Sequence, residues 1–127
     1  MATHSTIAVE KEDGSVEQIY VHWDGYIEHT GVILQDNYSE YNKIIELMRE
    51  GEILVLKEEP DDCERPSDDP VNKNVYENTH DYLGNFPREE YNYFWKYSEK
   101  CWYVNQLYLD GDDWMNLEVE LTSLSDD

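Results

Sequence analysis

The sequence predicts an α+β fold, in which an antiparallel sheet built from an N-terminal hairpin and a C-terminal meander has one or two helices packed on one face. Three observations lead to this prediction. Two β-like runs at residues 5–10 and 16–23 flank an Asp-Gly dipeptide, a helical apolar pattern covers 39–50, and aromatic β-like runs begin at residue 90. The length of 127 residues suits a single domain spanning 1–127.

The N-terminal hairpin is predicted from alternation and from its turn. Ile19, Val21 and Trp23 share one face of the second run, because successive side chains of a strand point to opposite sides. Asp13-Gly14 lies between the two runs, and this dipeptide is typical of tight hairpin turns. We therefore expect two antiparallel strands.

Helices are predicted after the hairpin. Residues 29–37 favour a short helix, and residues 39–50 favour a longer one, with Ser39 as its N-cap and Gly51 as its C-terminal stop. The apolar run at 53–56 fits a strand or a buried turn equally well, because periodicity does not separate the two in so short a segment.

The character of the chain changes at residues 58–81. This stretch holds nine acidic residues against two basic ones, and residues 58–70 contain three prolines. Clusters of this kind break both helical and strand patterns. The prediction here is an exposed acidic loop.

The C-terminal meander is predicted from three further runs. In residues 90–97 the aromatic side chains alternate, so that one face carries Tyr91, Tyr93, Trp95 and Tyr97. Residues 101–109 form a second β-like run after a short turn, and 114–121 read as a last strand with alternating apolar and acidic positions. The final residues, 123–127, are expected to fray.

Negative charge dominates the composition. There are 30 Asp and Glu residues against 9 Lys and Arg, a formal net charge of −21. Such a surface repels nucleic-acid phosphates and anionic membranes and attracts basic proteins. Direct binding to nucleic acid or to a membrane is therefore not expected. Solubility alone is the competing explanation of the charge.

Motifs for enzyme chemistry are missing from the sequence. No phosphate loop, dinucleotide fingerprint or nucleophile elbow occurs. The four histidines and two cysteines lack the spacing of a metal site, and the Asp110–Asp113 turn lacks the alternating ligands of a calcium loop. We expect no catalytic residues, no metal and no cofactor.

The HWDGY segment, residues 22–26, is the most distinctive short motif. His22 and Asp24 lie two positions apart and could form an acid–base pair on one side of a strand. The simpler interpretation packs Trp23 in the core, builds a turn from Asp24 and Gly25, and covers it with Tyr26. A recognition patch is a third interpretation.

The N-terminal part of the chain resembles a group of small uncharacterised bacteriophage and prophage proteins. The resemblance depends on Ser5-Thr6-Ile7-Ala8, Asp13-Gly14, Ile19-Tyr20, His22-Trp23-Asp24-Gly25-Tyr26 and Gly31. Members of that group often carry a cysteine just before the HWDGY motif, where this chain has Val21. The resemblance implies a phage origin, and small acidic phage proteins often resemble DNA mimics that occupy the DNA-binding groove of a host enzyme.

Charge and resemblance together lead to one functional hypothesis. The chain is expected to be a cytoplasmic, phage-encoded inhibitor, acting against host defence or in host takeover, that binds a basic, nucleic-acid-binding host protein, with DNA mimicry as one form of that binding. Restriction enzymes, CRISPR effectors, nucleoid proteins and repair enzymes are the target classes. The expected contact residues are Glu58, Glu59, Asp61, Asp62, Asp68, Asp69, Asp110, Asp112 and Asp113.

Two alternatives remain open at the level of sequence. One is a small regulatory or structural interaction module whose patch consists of His22, Trp23, Asp24 and Tyr26. The other is a protein that sequesters a nucleotide or another small molecule in an aromatic pocket.

Overall fold

The protein is described by a computed structural model that covers residues 3–66 and 72–125. Its strands are β1 (Ser5–Glu10), β2 (Val16–Val21), β3 (Asn74–Tyr76), β4 (Tyr91–Lys96), β5 (Cys101–Gln106) and β6 (Met115–Asn116). Its α-helices are α1 (Val32–Asn37), α2 (Tyr41–Arg49), α3 (Thr79–Asn85), α4 (Leu107–Asp110) and α5 (Leu117–Ser125). A π-turn at Ile27–Gly31 leads directly into α1. The predicted α+β fold is confirmed.

The six strands form one sheet in the order β3-β2-β1-β4-β5-β6. Neighbouring strands are antiparallel except β1 and β4, which pair in parallel with Ile7 opposite Tyr93. The parallel pair joins the N-terminal hairpin to the C-terminal meander. The antiparallel β2 returns the chain to the end of the sheet where β1 begins, and residues 22–90 connect the end of β2 to the start of β4.

The predicted hairpin of β1 and β2 is confirmed, with Ile7 opposite Ile19. Gly14 has a φ of +91°, a conformation that favours glycine. The prediction for Trp23 was wrong, because β2 ends at Val21 and the indole is 48 % exposed. The backbone of residues 22 and 23 bonds instead to the carbonyls of Ile53 and Leu54.

One face of the sheet carries the main core. Alternate residues of the four central strands pack there against α1, α2 and α5, and the largest buried members include Ile7, Ile19, Tyr93, Trp95, Trp102, Leu34, Ile44, Leu47 and Leu117. The predicted aromatic face of β4 is part of this core, since Tyr91 and Tyr97 also pack against it. Burial of so many large side chains is the main stabilisation of the fold.

The opposite face carries a smaller aromatic cluster. Ala8, Val16 and Phe94 of the sheet pack against Tyr82 of α3, and Phe86 and Trp114 lie against this group. The helices thus cover both faces, whereas the sequence placed them on one. The sequence did not predict α3, because the helix lies in a polar segment and buries only one residue, Tyr82, so it shows no apolar periodicity.

Helix α2 confirms the predicted helix, with a different start. Its N-cap is Glu40, and no side chain caps it, so the prediction for Ser39 was wrong. Gly51 has a φ of +76° just beyond the helix, as expected for a C-terminal stop. The 53–56 run forms isolated bridges only, Ile53 to Val21 and Val55 to Glu64.

The predicted loop at 58–81 contains regular structure. Pro60–Asp62 forms a 3₁₀ turn, β3 adds a strand beside β2, and α3 begins at Thr79, capped by the side chain of Asn78. The prediction of a loop was wrong in this part because a three-residue strand and a short capped helix are too short to show a hydrophobic period. Residues 67–71 lie outside the described part.

The predicted strand at 114–121 was wrong beyond its first residues. Only β6 is extended, and α5 begins at Leu117 with the side chain of Asn116 accepting a hydrogen bond from the Val119 N–H at 3.1 Å. Leu117 is buried and Leu121 partly buried, while Val119 is 64 % exposed. Residues four apart share a helix face and residues two apart do not, which explains this burial.

The described end of the expected frayed tail, residues 123–125, belongs to α5. None of the helices in residues 3–66 and 72–125 combines the length and the apolar composition that a bilayer crossing requires.

Candidate functional site

Four of the predicted contact carboxylates lie on one ordered turn. Glu58, Glu59, Asp61 and Asp62 are exposed and flank the buried Pro60, which opens the 3₁₀ turn. We call these four residues the acidic turn. Its carboxylates are held at the surface because the proline anchors the segment beneath them.

Hydrogen bonds fix the acidic turn to the main core. The Tyr38 hydroxyl donates to the carbonyl oxygen of Lys57 at 2.8 Å, and Cys63 Sγ accepts the Lys57 N–H at 3.3 Å. Trp102 Nε1 in turn donates to the carbonyl oxygen of Tyr38 at 2.8 Å. Burial raises the pKa of Tyr38 far above its ordinary value, so the hydroxyl stays a donor.

A cleft of about 470 Å³ opens beside the acidic turn. Its lining consists of His29, Ile33, Lys57, Glu58, Glu59 and Asp62. His29 Nε2 is buried and has no hydrogen-bond partner. The cleft therefore combines three carboxylates with one apolar wall, and its one cation, Lys57, lies 3.8 Å from the Glu64 carboxylate. This combination suits a cationic side chain with an aliphatic stem.

The basic residues of the chain are largely occupied by internal ion pairs. Seven of the nine Lys and Arg side chains approach a carboxylate within 3.8 Å, and their partners are Glu17, Glu50, Glu59, Glu64, Glu99 and Asp112. Among the ion pairs of the described residues, only Glu59 of the acidic turn has such a partner, Lys43 at 3.0 Å. The unneutralised charge of the turn faces solvent.

The second predicted acidic group lies on the connection between β5 and β6. Asp112 is paired with Arg88 at 2.6 Å, and the Asp110 carboxylate accepts the Gln106 N–H at 2.9 Å. Asn105 donates to the carbonyl oxygens of Gly111 and Asp113 at 2.9 and 2.7 Å. These bonds hold the connection on the face of the sheet opposite the main core.

The structure therefore does not bring the two predicted acidic groups together. The acidic turn is joined to the main core through the hydrogen bond from Tyr38 to the Lys57 carbonyl oxygen, whereas the Asp110–Asp113 connection is joined through Asn105 to the other face of the sheet. Asp68 and Asp69, also predicted as contacts, lie outside the described residues.

The HWDGY segment is a tightly built loop. Asp24 has a φ of +56°, and its carbonyl oxygen accepts the hydroxyl of Thr30 at 2.8 Å. A Cβ on Gly25 would lie 2.5 Å from the Cβ and Oγ of Ser5, so only glycine fits there. Tyr93 donates its hydroxyl to the carbonyl oxygen of Gly25 at 2.7 Å. Hydrogen bonds and close packing therefore fix the backbone of this loop.

The side chains of that motif point to different surroundings. Trp23 is 48 % exposed and Tyr26 is 37 % exposed. His22 makes an edge-on contact with Tyr20 and pairs through Nε2 with Glu52, and no hydrogen bond joins it to Asp24. The geometry thus gives no support to the His22–Asp24 acid–base pair considered from the sequence.

A polar ladder across three strands was missed by sequence reasoning. Thr6 Oγ1 donates to Asn92 Oδ1 at 2.8 Å, and Asn92 Nδ2 donates to Asn105 Oδ1 at 3.2 Å. All three are buried, and Arg88 joins the ladder through Asn105 at 3.2 Å. The two asparagines within aromatic strands were the available signal, because a buried amide requires partners.

No group of three or more His, Cys, Asp and Glu side chains in the described part of the chain could hold a metal ion. Comparison of the chain with protein-family models, with curated proteins and with solved structures found no significant match. The resemblance to phage proteins stays a prediction.

Proposed function

We propose that this chain is a phage-encoded inhibitor that binds a basic, nucleic-acid-binding host protein, and that the acidic turn and its cleft are the contact. One observation carries the proposal: within residues 3–66 and 72–125, three of the four carboxylates of the turn have no cationic partner, although most Lys and Arg side chains are paired elsewhere. An anchored turn with this charge is ready to receive Lys or Arg side chains from another protein.

The shape of the site adds to this argument. Glu58, Glu59 and Asp62 border the same cleft as Ile33, so an incoming arginine can lay its stem on the apolar wall and present its guanidinium to the carboxylates. Since the turn is already ordered, binding costs little conformational entropy there. Occupation of a DNA-binding surface in this way would exclude DNA from it.

The test is competition with DNA for purified basic DNA-binding proteins of a bacterial host. A variant with Glu58→Gln, Glu59→Gln, Asp61→Asn and Asp62→Asn is compared with a control that loses four other exposed carboxylates, Glu40→Gln, Glu46→Gln, Glu77→Gln and Glu118→Gln. Both variants change the net charge by the same amount. A site-specific contact therefore predicts about tenfold or greater weakening in the first variant only.

Salt dependence provides the second readout. Binding of the unmodified protein should weaken steeply as salt rises and should be mutually exclusive with duplex DNA. Salt-independent binding, or equal weakening in the two variants, would show that the acidic turn is not the contact.

A second candidate function is an interaction module that uses the HWDGY loop. The observation in its favour is that Trp23 and Tyr26 are exposed on a backbone held by Gly25 and Asp24, and exposed aromatic side chains are favoured at protein interfaces. Substitution of Trp23→Ser with Tyr26→Ser separates the two candidates. Loss of partner binding in this variant, with full binding in the variant of the acidic turn, would favour the module.

A further inference from the structure

The connection between β5 and β6 carries a group of exposed apolar side chains. Tyr108 is 82 % exposed and Leu109 is 78 % exposed, both on α4. Met115 on β6 is 41 % exposed, and Val119 in the first turn of α5 is 64 % exposed. We call these four side chains the apolar tip. Single exposed apolar residues are common, but four within twelve positions of the sequence need an explanation.

Backbone pairing places the apolar tip at one end of the sheet. Val104 of β5 lies opposite Met115 of β6, and the Asp113 N–H donates to the carbonyl oxygen of Asp110 at 2.9 Å, which closes the connection into a tight turn. Tyr108 and Leu109 lie on the outgoing arm of this turn and Met115 on the returning arm. Because β6 is the last strand of the sheet, its outer edge has no neighbouring strand in the described chain.

Hydrogen bonds on both sides of Tyr108 and Leu109 hold the backbone that carries these two residues of the apolar tip. Asn105 bonds to two carbonyl oxygens of the turn at 2.9 and 2.7 Å, and Arg88 bonds to Asp112 and to the Gly111 carbonyl oxygen. The Gln106 N–H donates to the Asp110 carboxylate. A surface that is already ordered loses less entropy when a partner covers it.

The surroundings of the tip are acidic. Residues 107–125 contain no Lys or Arg, and their acidic members are Asp110, Asp112, Asp113, Glu118 and Glu120. The Asp112 side chain is 95 % exposed although it pairs with Arg88. Exposed apolar side chains on a segment rich in carboxylates are complementary to a partner segment that is apolar on one side and basic on the other.

We propose that the apolar tip is a docking site for a basic amphipathic segment of a partner protein. The apolar side chains of that segment cover Tyr108, Leu109 and Met115, and its Lys or Arg side chains meet the carboxylates around them. A second copy of this chain is a poor occupant, because each copy carries a net charge of −21 and the acidic rims would repel each other. This surface is separate from the acidic turn and does not depend on the function proposed for that turn.

The experiment compares two peptides that carry the same number of lysines. One is a Lys/Leu peptide patterned as an amphipathic helix, and the other is an oligolysine without apolar residues. Their affinities are measured for the unmodified protein, for Tyr108→Ser with Leu109→Ser, and for a control that loses two exposed apolar side chains elsewhere, Val75→Ser with Leu83→Ser. Backbone amide shifts in NMR spectra locate the bound peptide.

The proposal predicts about tenfold tighter binding of the Lys/Leu peptide than of the oligolysine. That preference should vanish in the Tyr108/Leu109 variant and persist in the control, and the NMR shifts should cluster at residues 107–119. Equal affinity of the two peptides, equal losses in the two variants, or dimerisation through residues 107–119 in sedimentation would overturn it. The variant of the acidic turn should keep the preference for the Lys/Leu peptide. The peptide experiment therefore tests the apolar tip independently of the function proposed for the acidic turn.

Discussion

Tyr93 donates its hydroxyl hydrogen to the carbonyl oxygen of Gly25 at 2.7 Å, and this bond ties the centre of the sheet to the HWDGY loop 68 residues away in sequence. The ring is fully buried in the main core. Burial raises the pKa of Tyr93 well above its ordinary value, so the hydroxyl remains a donor at physiological pH. The backbone of the HWDGY loop is therefore bonded directly to a side chain of the main core.

Replacement of this tyrosine measures the value of the bond. Tyr93→Phe keeps the ring but leaves the Gly25 carbonyl oxygen without its partner, and we expect a loss of about 1–3 kcal/mol in the free energy of unfolding. Urea denaturation gives the value. Tyr97→Phe is the matched control, since the Tyr97 ring packs against the same core without a hydrogen bond from its hydroxyl. Equal effects of the two substitutions would contradict the assigned bond.

Two glycines are expected to respond to alanine in opposite directions. A Cβ on Gly25 would lie 2.5 Å from the side chain of Ser5, so Gly25→Ala should destabilise the protein by about 1–3 kcal/mol through overpacking. Gly84 lies inside α3 with open space around it, so Gly84→Ala should stabilise by up to about 1 kcal/mol. Thermal unfolding of both variants tests the signs, and a shift of the same sign in both would refute the packing argument.

The Asn105 side chain is expected to control the order of the β5–β6 connection. Asn105→Ala removes the donors to the Gly111 and Asp113 carbonyl oxygens and the acceptor for Arg88. Hydrogen exchange at residues 107–113 should become faster, and stability should fall by about 1–3 kcal/mol. Asn85→Ala, on the exposed side of α3, serves as the control. Unchanged exchange in the connection would show that Asn105 does not hold it.

Acid should weaken the contact between the HWDGY loop and the segment after α2. The hydrogen bond from His22, followed by that from Asn72 at 2.9 Å, lowers the pKa of Glu52 below its ordinary value of 4.5. A carboxyl whose pKa is lower in the folded state stabilises the protein above the unfolded pKa, and this contribution is lost as pH falls through the folded pKa.

The measurement is the free energy of unfolding as a function of pH. Glu52→Gln should show a smaller decrease than the unmodified protein between about pH 5 and about pH 3. Glu46→Gln, which removes an exposed carboxylate on α2, should leave the shape of the curve unchanged. Parallel curves for all three proteins would exclude a lowered pKa at Glu52.

Local patterns in the sequence were enough to predict the strands with clear alternation, the long helix before Gly51 and the acidity of the protein. Each of these properties is local: side-chain period, turn chemistry and charge can be read without knowing what lies nearby. For the same reason the predictions of the aromatic face of β4 and of the Asp13-Gly14 turn were correct. The prediction of Ser39 as an N-cap was wrong, because the position of a cap depends on where the backbone enters the helix.

Which residues contact one another across the fold became known from the three-dimensional structure alone. The parallel pairing of β1 with β4 brings Thr6 to Asn92, the exposure of Trp23 follows from the end of β2, and α5 replaces a strand because the main core buries Leu117 together with Leu121 on one helical face. The acidic turn and the Asp110–Asp113 connection are likewise separate because they are joined to opposite faces of the sheet. Contacts between residues far apart in sequence leave no local pattern, because they depend on how the whole chain buries its apolar surface.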